Sequence, residues 1–170
     1  MSEEVITVQE DRDSLLRIVG RFDGGAASEL TLTLPWSLRQ RSRIRTRLDD
    51  GREVGVFLSR GEILQDGDRL AAEDGRCVRV VAAAEDVAVA RSLDAHVLAR
   101  ACYHLGNRHV PLQISAHCVR FQPDHVLENM LQELGLSVRH ETSPFQPEPG
   151  AYSGGGHSHA NSHGHQHSHG

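Results

Sequence analysis

The chain has 170 residues, a formal net charge of −5 and 4% aromatic residues, and all 18 of its basic residues are arginine. This mildly acidic composition argues against general nucleic-acid binding, which requires a basic surface. The start of the chain is acidic and lacks the apolar segment of a signal peptide, and no run approaches the length of a membrane span. We therefore expect a cytoplasmic protein with no membrane segment, large enough for one domain or two small ones.

The first part of the chain, residues 1–83, has the pattern of short strands joined by turns. Apolar and polar residues alternate over Leu30–Leu34 and again over 41–48, and Asp49–Gly51 predicts a hairpin turn into a partner strand. Further glycine-containing turns separate more strands, the last of them over Cys77–Val81. Many short strands at close spacing predict a small all-β domain of the sandwich or barrel type.

One face of the strand predicted over 41–48 carries only arginines. This face is either an ordinary solvated edge strand or a surface that docks an acidic partner. Its members are Arg41, Arg43, Arg45 and Arg47.

Residues 84–152 combine short strands with two amphipathic helices. Aspartate supplies a typical cap at the start of each helix, and glycine a typical stop at its end. The order of the elements is β-α-β-β-α-β, the split arrangement of a ferredoxin-like fold. The predicted elements are a strand at Val87–Ala90, a helix capped by Asp94 and ended by Gly106, strands at Val110–Ile114 and Cys118–Phe121, a helix opened by Pro123 and Asp124 and ended by Gly135, and a strand at Leu136–Arg139.

The apolar residues of the two helices recur at the helical period, which predicts one buried face for each helix. The first face is expected to contain Val97, Leu98, Ala101, Cys102 and Leu105, and the second Val126, Leu127, Met130, Leu131 and Leu134.

The chain lacks the sequence signatures of common catalytic and thiolate metal sites. It has no His-Glu-x-x-His helix and no Gly-x-Ser-x-Gly turn, and the absence of lysine excludes a phosphate-binding P-loop. Its three cysteines, Cys77, Cys102 and Cys118, are an odd number at wide spacing, so we expect free thiols that pack as small apolar residues. The sequence therefore shows no hydrolytic or phosphate-binding signature.

The chain ends in a histidine-rich segment. Residues 153–170 are rich in glycine, serine and histidine and are expected to be disordered without metal. Neutral imidazole is a ligand for nickel, copper, zinc and cobalt, and residues 157–170 contain no Cys, Asp or Glu that would indicate another kind of site. A purification tag and a low-complexity tail without function are the alternatives. The candidate ligands of this tail are His157, His159, His163, His165, His167 and His169.

Four further histidines lie near the ends of the predicted elements of the second region. His104 is in the last turn of the first helix, His109 precedes a strand, His117 lies in the turn between the middle strands, and His125 opens the second helix. The ordinary interpretation is structural, and for His104 a favourable interaction with the helix dipole. None of the four has a cysteine or carboxylate at a recognised motif spacing. The remaining two, His96 and His140, are taken as surface residues.

Several segments together resemble the urease accessory protein E family, the nickel metallochaperones of urease maturation. The resemblance covers nearly the whole chain, and the string Gly-Asn-Arg-His-Val-Pro is its most specific part. The matching segments are 104–114, 124–127 and 144–152, followed by the histidine-rich tail, and in the first region 41–45, 48–51 and 60–61.

The resemblance implies a nickel carrier that is not an enzyme. It implies a peptide-binding-like β domain at 1–83, a ferredoxin-like metal-binding and dimerisation domain at 84–152, and a metal-binding tail at 153–170. It implies a homodimer in which His109 is the principal Ni(II) ligand, beside its twin across the twofold axis. Partners would be the urease apoprotein complex with its other accessory proteins, among them the accessory GTPase, accessory protein G. Zn(II) and Cu(II) are expected to bind in vitro, since imidazole also suits them.

An auxiliary metal site is left open by the sequence. Some relatives have a histidine directly before the Asp-His pair, where this chain has Pro123, so such a site rests on His125, with His104 or His117 as possible companions. Two other classes of function also remain open. One is a histidine-rich protein that stores or detoxifies Ni, Zn or Cu without a delivery partner, and the other is a peptide-binding co-chaperone that uses the β domain and in which the tail has no role.

Overall fold

The structure is a computed structural model that describes residues 15–25 and 29–149. Its N-terminal domain contains a six-stranded sheet with the order β2-β6-β5-β1-β4-β3. The pairs β1/β4 and β2/β6 are parallel and the others antiparallel. The elements are β1 (Leu16–Arg21), β2 (Glu29–Leu34), the one-turn helix α1 (Trp36–Arg39), β3 (Arg43–Arg47), β4 (Glu53–Phe57), β5 (Arg69–Ala72) and β6 (Cys77–Ala82).

The predicted hairpin of this domain is confirmed. Strands β3 and β4 pair antiparallel, and Gly51 in the turn between them has a φ of +90°, a conformation that favours glycine. The arginines of β3 are exposed, while Leu48 after them and Val54 in β4 are buried, as the alternation predicted.

The N-terminal domain is mostly β rather than all-β as predicted, because it contains the short helix α1, which the sequence pattern did not indicate. Pro35 precedes this helix with a φ of −69°, the value that its ring imposes and that suits a helix start. Strand β1 was also not predicted. Its Ile18 is buried but the neighbouring Val19 is 49% exposed, so apolar residues occupy both faces and hide the alternation.

The C-terminal domain contains a four-stranded antiparallel sheet with the order β10-β7-β9-β8. The predicted sequence of elements, β-α-β-β-α-β, is confirmed. The elements are β7 (Ala84–Arg91), α2 (Ala95–Gly106), β8 (Gln113–Ser115), β9 (Cys118–Phe121), α3 (His125–Glu133) and β10 (Ser137–Pro144).

Strand bounds in this domain differ from the prediction at both ends of the sheet. Strand β8 begins at Gln113 rather than Val110, and the intervening Pro111 has no N–H to donate to a ladder. Strand β10 is longer than predicted, because it pairs with β7 over its whole length from Ser137 to Pro144. The second half of β10 is polar, so a prediction based on hydrophobic residues ended the strand too early.

Both long helices pack their apolar stripes onto one face of this sheet. Leu98, Ala101 and Leu105 of α2 are buried there, and so is Leu131 of α3. The prediction that Val126 is buried is wrong, since it is 61% exposed. At about 100° per residue, Val126 lies about 140° around the helix from Leu131, outside the buried stripe.

Among the described residues, none of the helices is long and apolar enough to span a bilayer.

Both helices begin at the predicted aspartate caps. The Asp94 carboxylate accepts hydrogen bonds from the backbone N–H groups of His96 (2.8 Å) and Val97 (3.3 Å), and Asp124 caps α3 in the same way.

All three cysteines have free thiols, as predicted, and Cys77 and Cys118 are buried.

Removal of the α2 cap should lower stability by a predictable amount. We expect Asp94→Ala to reduce the free energy of unfolding by about 1 kcal/mol, because two N–H groups of the first turn lose their acceptor. Asp94→Asn is the matched control and should be almost neutral, since the amide oxygen can still cap. Urea denaturation of the three proteins measures the difference, and equal midpoints for the alanine and asparagine variants would contradict the assignment.

Candidate metal centre

His109 lies in the turn that ends α2. Its N–H donates to the Gly106 carbonyl (2.9 Å), and the next N–H, of Val110, donates to the Leu105 carbonyl (3.3 Å). This pair of hydrogen bonds is the Schellman arrangement of a helix C-terminus, in which one residue is left-handed. That residue is His109, with a φ of +57°. Gly106 is the last residue of the helix, as predicted, but it does not supply the left-handed conformation.

Helix α3 ends in the same arrangement with glycine in the left-handed place. The Gly135 N–H donates to Gln132 (3.0 Å), the Leu136 N–H donates to Leu131 (3.0 Å), and Gly135 has a φ of +94°. In the described part of the chain, His109 is the one residue other than glycine with a positive φ. A side chain in this conformation costs about 1–2 kcal/mol, so histidine at this position is unfavourable for folding alone.

The His109 side chain is available to a ligand. The residue is exposed, and neither ring nitrogen has a hydrogen-bond partner among residues 15–25 and 29–149. An imidazole that is exposed and makes no internal hydrogen bond can offer a nitrogen lone pair to a metal ion.

His104 occupies the last turn of α2 and is less accessible. It is half-buried, its ring packs edge-on against Tyr103 with centroids 5.4 Å apart, and its carbonyl accepts a hydrogen bond from Arg108 (2.9 Å). The nearby Cys102 is a poor thiolate ligand, because burial raises the pKa of its thiol.

The other candidate histidines lie at separate places on the C-terminal domain. His125 is exposed in the first turn of α3, and His117 is exposed in the turn between β8 and β9. His140 on β10 is engaged, with its Nε2 3.0 Å from Oε2 of Glu128. The six tail histidines, His157 to His169, lie outside the described residues.

One copy of the described chain does not assemble a closed metal site. Among the residues described, no group of three or more His, Cys, Asp or Glu side chains is placed to hold a metal ion.

Exposed apolar side chains lie on both sides of His109 in the chain. Tyr103 on α2 is 66% exposed and Ile114 on β8 is 45% exposed. Strand β8 is an edge of its sheet, so part of its backbone hydrogen-bonding capacity is also free for contact. Apolar surface of this kind favours contact with another protein surface over solvent.

The left-handed conformation of His109 leads to a stability prediction. We expect His109→Gly to be more stable than His109→Ala by about 1 kcal/mol, because only glycine adopts this conformation without steric cost. The matched control is at the other helix, where Gly135→Ala should be destabilising by about the same amount; its added methyl group would meet no atom within 4 Å. Thermal unfolding of the metal-free proteins measures both stability differences. Equal stability of the glycine and alanine variants at position 109 would show that the left-handed backbone there is not strained.

Comparison with known families accounts for nearly all of the described chain. The model of the UreE urease accessory protein N-terminal domain matches residues 15–83, and that of its C-terminal domain matches residues 85–169. The chain belongs to the UreE urease accessory protein family. The resemblance inferred from the sequence motifs is thereby confirmed.

Individual UreE proteins match over most of their length. The urease accessory protein UreE of Alkalilimnicola ehrlichii is 60% identical over 140 residues, which cover 82% of this chain and 86% of that protein. The UreE of Pseudomonas putida strain GB-1 is 53% identical over 137 residues, covering 80% and 83%. The UreE of Citrobacter koseri is 49% identical over 146 residues, covering 85% and 96%.

Sequence reasoning named His109 but did not detect its conformation. The available signal was the apolar Val110, which occupies the place after the left-handed residue where a Schellman motif usually has a hydrophobic contact with the helix. Val110 packs against the same core cluster that contains Leu105. Gly106, three residues before His109, was the more obvious residue to end the helix, because glycine is the usual left-handed residue at a helix C-terminus.

Proposed function

We propose that this chain is a non-enzymatic nickel metallochaperone of urease maturation, which binds Ni(II) through histidines and delivers it for assembly of the urease active site. The observation that carries the proposal is the exposed, unpartnered imidazole of His109, held in a conformation that glycine would adopt at lower cost. A strained residue is retained against its folding cost most readily where its side chain has a task. Membership of the UreE family connects the proposed task, metal binding, with urease maturation.

The proposed nickel site lies across the twofold axis of a homodimer. A twofold axis turns one histidine per chain into two ligands without further sequence change. Exposed Tyr103 and Ile114 support a contact through the C-terminal domain. The lack of a closed set of ligands in the described part of one chain agrees with a shared site.

The remaining ligands are proposed to come from the tail. Two imidazoles leave coordination positions open, and the tail histidines His157, His159, His163, His165, His167 and His169 can fill them. An ion held by an incomplete set of dimer ligands, with the rest of its coordination supplied by the tail, can leave by stepwise ligand exchange, which a carrier requires and a closed structural site prevents. His104 and His125 are proposed as auxiliary ligands, with Zn(II) and Cu(II) binding the same nitrogens in vitro.

The proposed division of the chain is an N-terminal β domain at 1–83, a C-terminal domain at 84–152 and the tail at 153–170. The strand order supports a ferredoxin-like fold for the middle unit, because counting only its own strands the antiparallel sheet has the order 4-1-3-2. The proposed partners are the urease apoprotein complex with its other accessory proteins and the accessory GTPase that receives the ion, all in the cytoplasm.

The arginine face of β3 is a weak candidate for docking these partners. Arg45 and Arg47 both form ion pairs with Glu53 of the adjacent strand, at 2.5 and 3.0 Å. Hydrogen bonding from Arg45 lowers the pKa of the Glu53 carboxyl group, so the carboxylate remains charged against both arginines. Arg41 and Arg43 are also exposed but form no ion pair with any of the described residues.

Deletion of the histidine-rich tail distinguishes a nickel carrier from a metal-storage protein. We expect a chain ending at residue 156 to retain a nickel ion at the dimer interface, to lose the additional ions, and to keep much of its ability to activate urease, because His109 remains. Calorimetric titration of the dimer with Ni(II) measures the ions bound. Urease activity in cells that supply only this variant measures delivery.

Loss of nearly all nickel capacity in this deletion, together with unchanged urease activation, would instead indicate a storage or detoxification protein. The full-length protein with His96→Ala is the control, because His96 is an exposed histidine at the start of α2 that the proposal does not use.

A further inference from the structure

A cavity of about 260 Å³ lies at one end of the second sheet, where three of its strands meet. Arg91, the last residue of β7, is paired with Cys118 of β9 on one side and with Ser137 of β10 on the other. The Ser92 N–H donates to the His117 carbonyl (3.1 Å), which closes this end of the sheet. The lining residues are Arg91, Ser92, Leu93, His117 and Ser137.

The guanidinium of Arg91 is the unusual group in this cavity. Its Nε is buried and has no hydrogen-bond partner, and the described residues provide no ion pair for its charge. Two other arginines of the same sheet are satisfied: Arg120 donates to Glu141 (2.9 Å), and Arg139 lies 3.7 Å from the same carboxylate. The two terminal nitrogen atoms of this guanidinium also have no hydrogen-bond partner among the described residues, and they are not buried, so they are free to donate to a ligand in the cavity.

No carboxylate of the described chain lines the cavity. Asp94 is close in sequence, but its side chain caps α2. Glu141 pairs with Val87, four residues along β7 from Arg91, which corresponds to about 13 Å along the strand. The positive charge of Arg91 is therefore not neutralised by a neighbour within the cavity.

The other lining groups also suit an anion. The hydroxyl groups of Ser92 and Ser137 can donate hydrogen bonds, and an imidazole N–H of His117 can do the same. An arginine beside His117 disfavours a metal cation at this histidine, because the two positive charges repel. A guanidinium instead offers parallel N–H donors that match the paired oxygen atoms of a carboxylate or phosphate group.

The size of the cavity limits its occupant. Pockets for drug-sized ligands measure about 300–1,000 Å³, and this cavity lies just below that range, so it suits a ligand smaller than a drug-sized molecule. Leu93, which is 89% exposed, and exposed His117 form its rim, so a ligand can enter from solvent without a change in fold.

We propose that this cavity binds a small oxyanion, with the Arg91 guanidinium as its main contact and Ser92, Ser137 and His117 as further hydrogen-bond donors. The site is distinct from His109 and does not require nickel. The shared chemistry is that of two oxygen atoms bearing a negative charge, and both a free phosphate and a small carboxylate or bicarbonate ion provide it.

The test is a titration of the full-length metal-free dimer, followed by ¹H–¹⁵N NMR at constant ionic strength. Inorganic phosphate, bicarbonate and acetate are added in separate experiments, with chloride as the reference. We expect saturable shifts of the Arg91 Nε–H signal and of the amide signals of Ser92, Cys118 and Ser137. The anion that binds most tightly identifies phosphate or carboxylate as the preferred source.

Variants separate this site from unspecific anion binding. Arg91→Gln should weaken binding by about 10- to 100-fold, the usual effect of removing a charge-assisted pair of hydrogen bonds. Arg139→Gln, a change of the same charge on the same sheet, should leave the affinity unchanged. Arg91→Lys and Ser137→Ala, which keep the charge and the fold, provide the same test if the glutamine variant does not fold, and each should weaken binding.

Shifts that do not saturate with any of the three anions, or that are reduced equally by Arg139→Gln and Arg91→Gln, would overturn the proposal.

Discussion

Replacement of His109 by alanine is expected to weaken nickel binding at the proposed dimer-interface site by more than about 100-fold. Changes to groups that merely orient a metal ligand already cost about 10- to 100-fold in affinity, and this change removes a ligand itself. In the proposed homodimer the substitution removes two ligands from the site, because each chain contributes one interface imidazole. Competition with a chromogenic chelator measures the affinity, and urease activation in cells should fall with it.

Two controls distinguish ligand loss from a folding defect. His109→Gly removes the imidazole but relieves the left-handed backbone, so it should lose nickel to the same extent as the alanine variant while remaining at least as stable as the native chain. His96→Ala should retain native affinity. If nickel affinity survived in either variant at position 109, the interface site would have to rest on other residues, and the proposed carrier mechanism would be wrong.

Replacement of Arg39 by alanine is expected to lower the free energy of unfolding by about 3–5 kcal/mol, the range seen when one partner of a buried charged network is removed. Arg39 has 0% exposure, although arginine is almost never fully buried unless paired. Its guanidinium donates to the carbonyl of Leu34 in the N-terminal domain (3.2 Å) and to the Gln146 side chain after β10 (2.8 Å). It also donates to the Phe145 carbonyl.

Arg39 therefore links the two domains through hydrogen bonds to residues of both. Its guanidinium carbon lies 5.3 Å from the Trp36 ring centroid, and Trp36 in turn packs edge-on against Phe145 with centroids 6.2 Å apart. Burial lowers the pKa of Arg39, and the nearby carboxylates of Glu85, Asp66 and Asp68 oppose this effect. Alanine would remove the donor to the carbonyl groups of Leu64 and Phe145, at a cost of about 1–3 kcal/mol for each buried group, whereas the Leu34 carbonyl still accepts from the Ala83 N–H.

Chemical denaturation followed by tryptophan fluorescence measures this loss, since Trp36 is the sole tryptophan of the chain and lies at the junction. Arg41→Ala is the matched control, because Arg41 is exposed and its replacement should change stability by no more than about 0.5 kcal/mol. A loss below about 1 kcal/mol for Arg39→Ala would mean that water or a rearranged Gln146 satisfies the same carbonyl groups.

The elements of the C-terminal domain were predictable because their signals are local. A capping aspartate, a helical stripe of apolar residues and a terminating glycine act within a few residues of each other, and Asp94, Asp124 and Gly135 act in the structure as they were predicted to. The turn at Gly51 belongs to the same class.

Elements whose signal depends on distant partners were missed. Strand β1 is held between β4 and β5, which follow it by more than thirty residues, and its own alternation is obscured by exposed Val19. The full length of β10 is set by its pairing with β7. Helix α1 is one turn long, too short for a periodic pattern, and its Arg39 is buried by contacts with residues 145 and 146.

The histidines of the candidate metal site were named from the sequence, since an imidazole is recognisable by its residue type alone and the family motif surrounds His109. What could not be predicted was the backbone state of His109, because a left-handed histidine depends on how α2 unwinds against Val110 and the core. The anion cavity was equally invisible, since Arg91, His117 and Ser137 come together only through the pairing of three strands.

The amino-acid sequence by itself determined the kinds of ligand available, the family, and the local starts and ends of the helices, because these follow from side-chain chemistry and from interactions within one or two turns. Only the tertiary structure decided which side chains are buried, which donors lack acceptors, and where His109 and Arg91 project. Those properties depend on residues that are far apart in the chain and become neighbours when the sheets form.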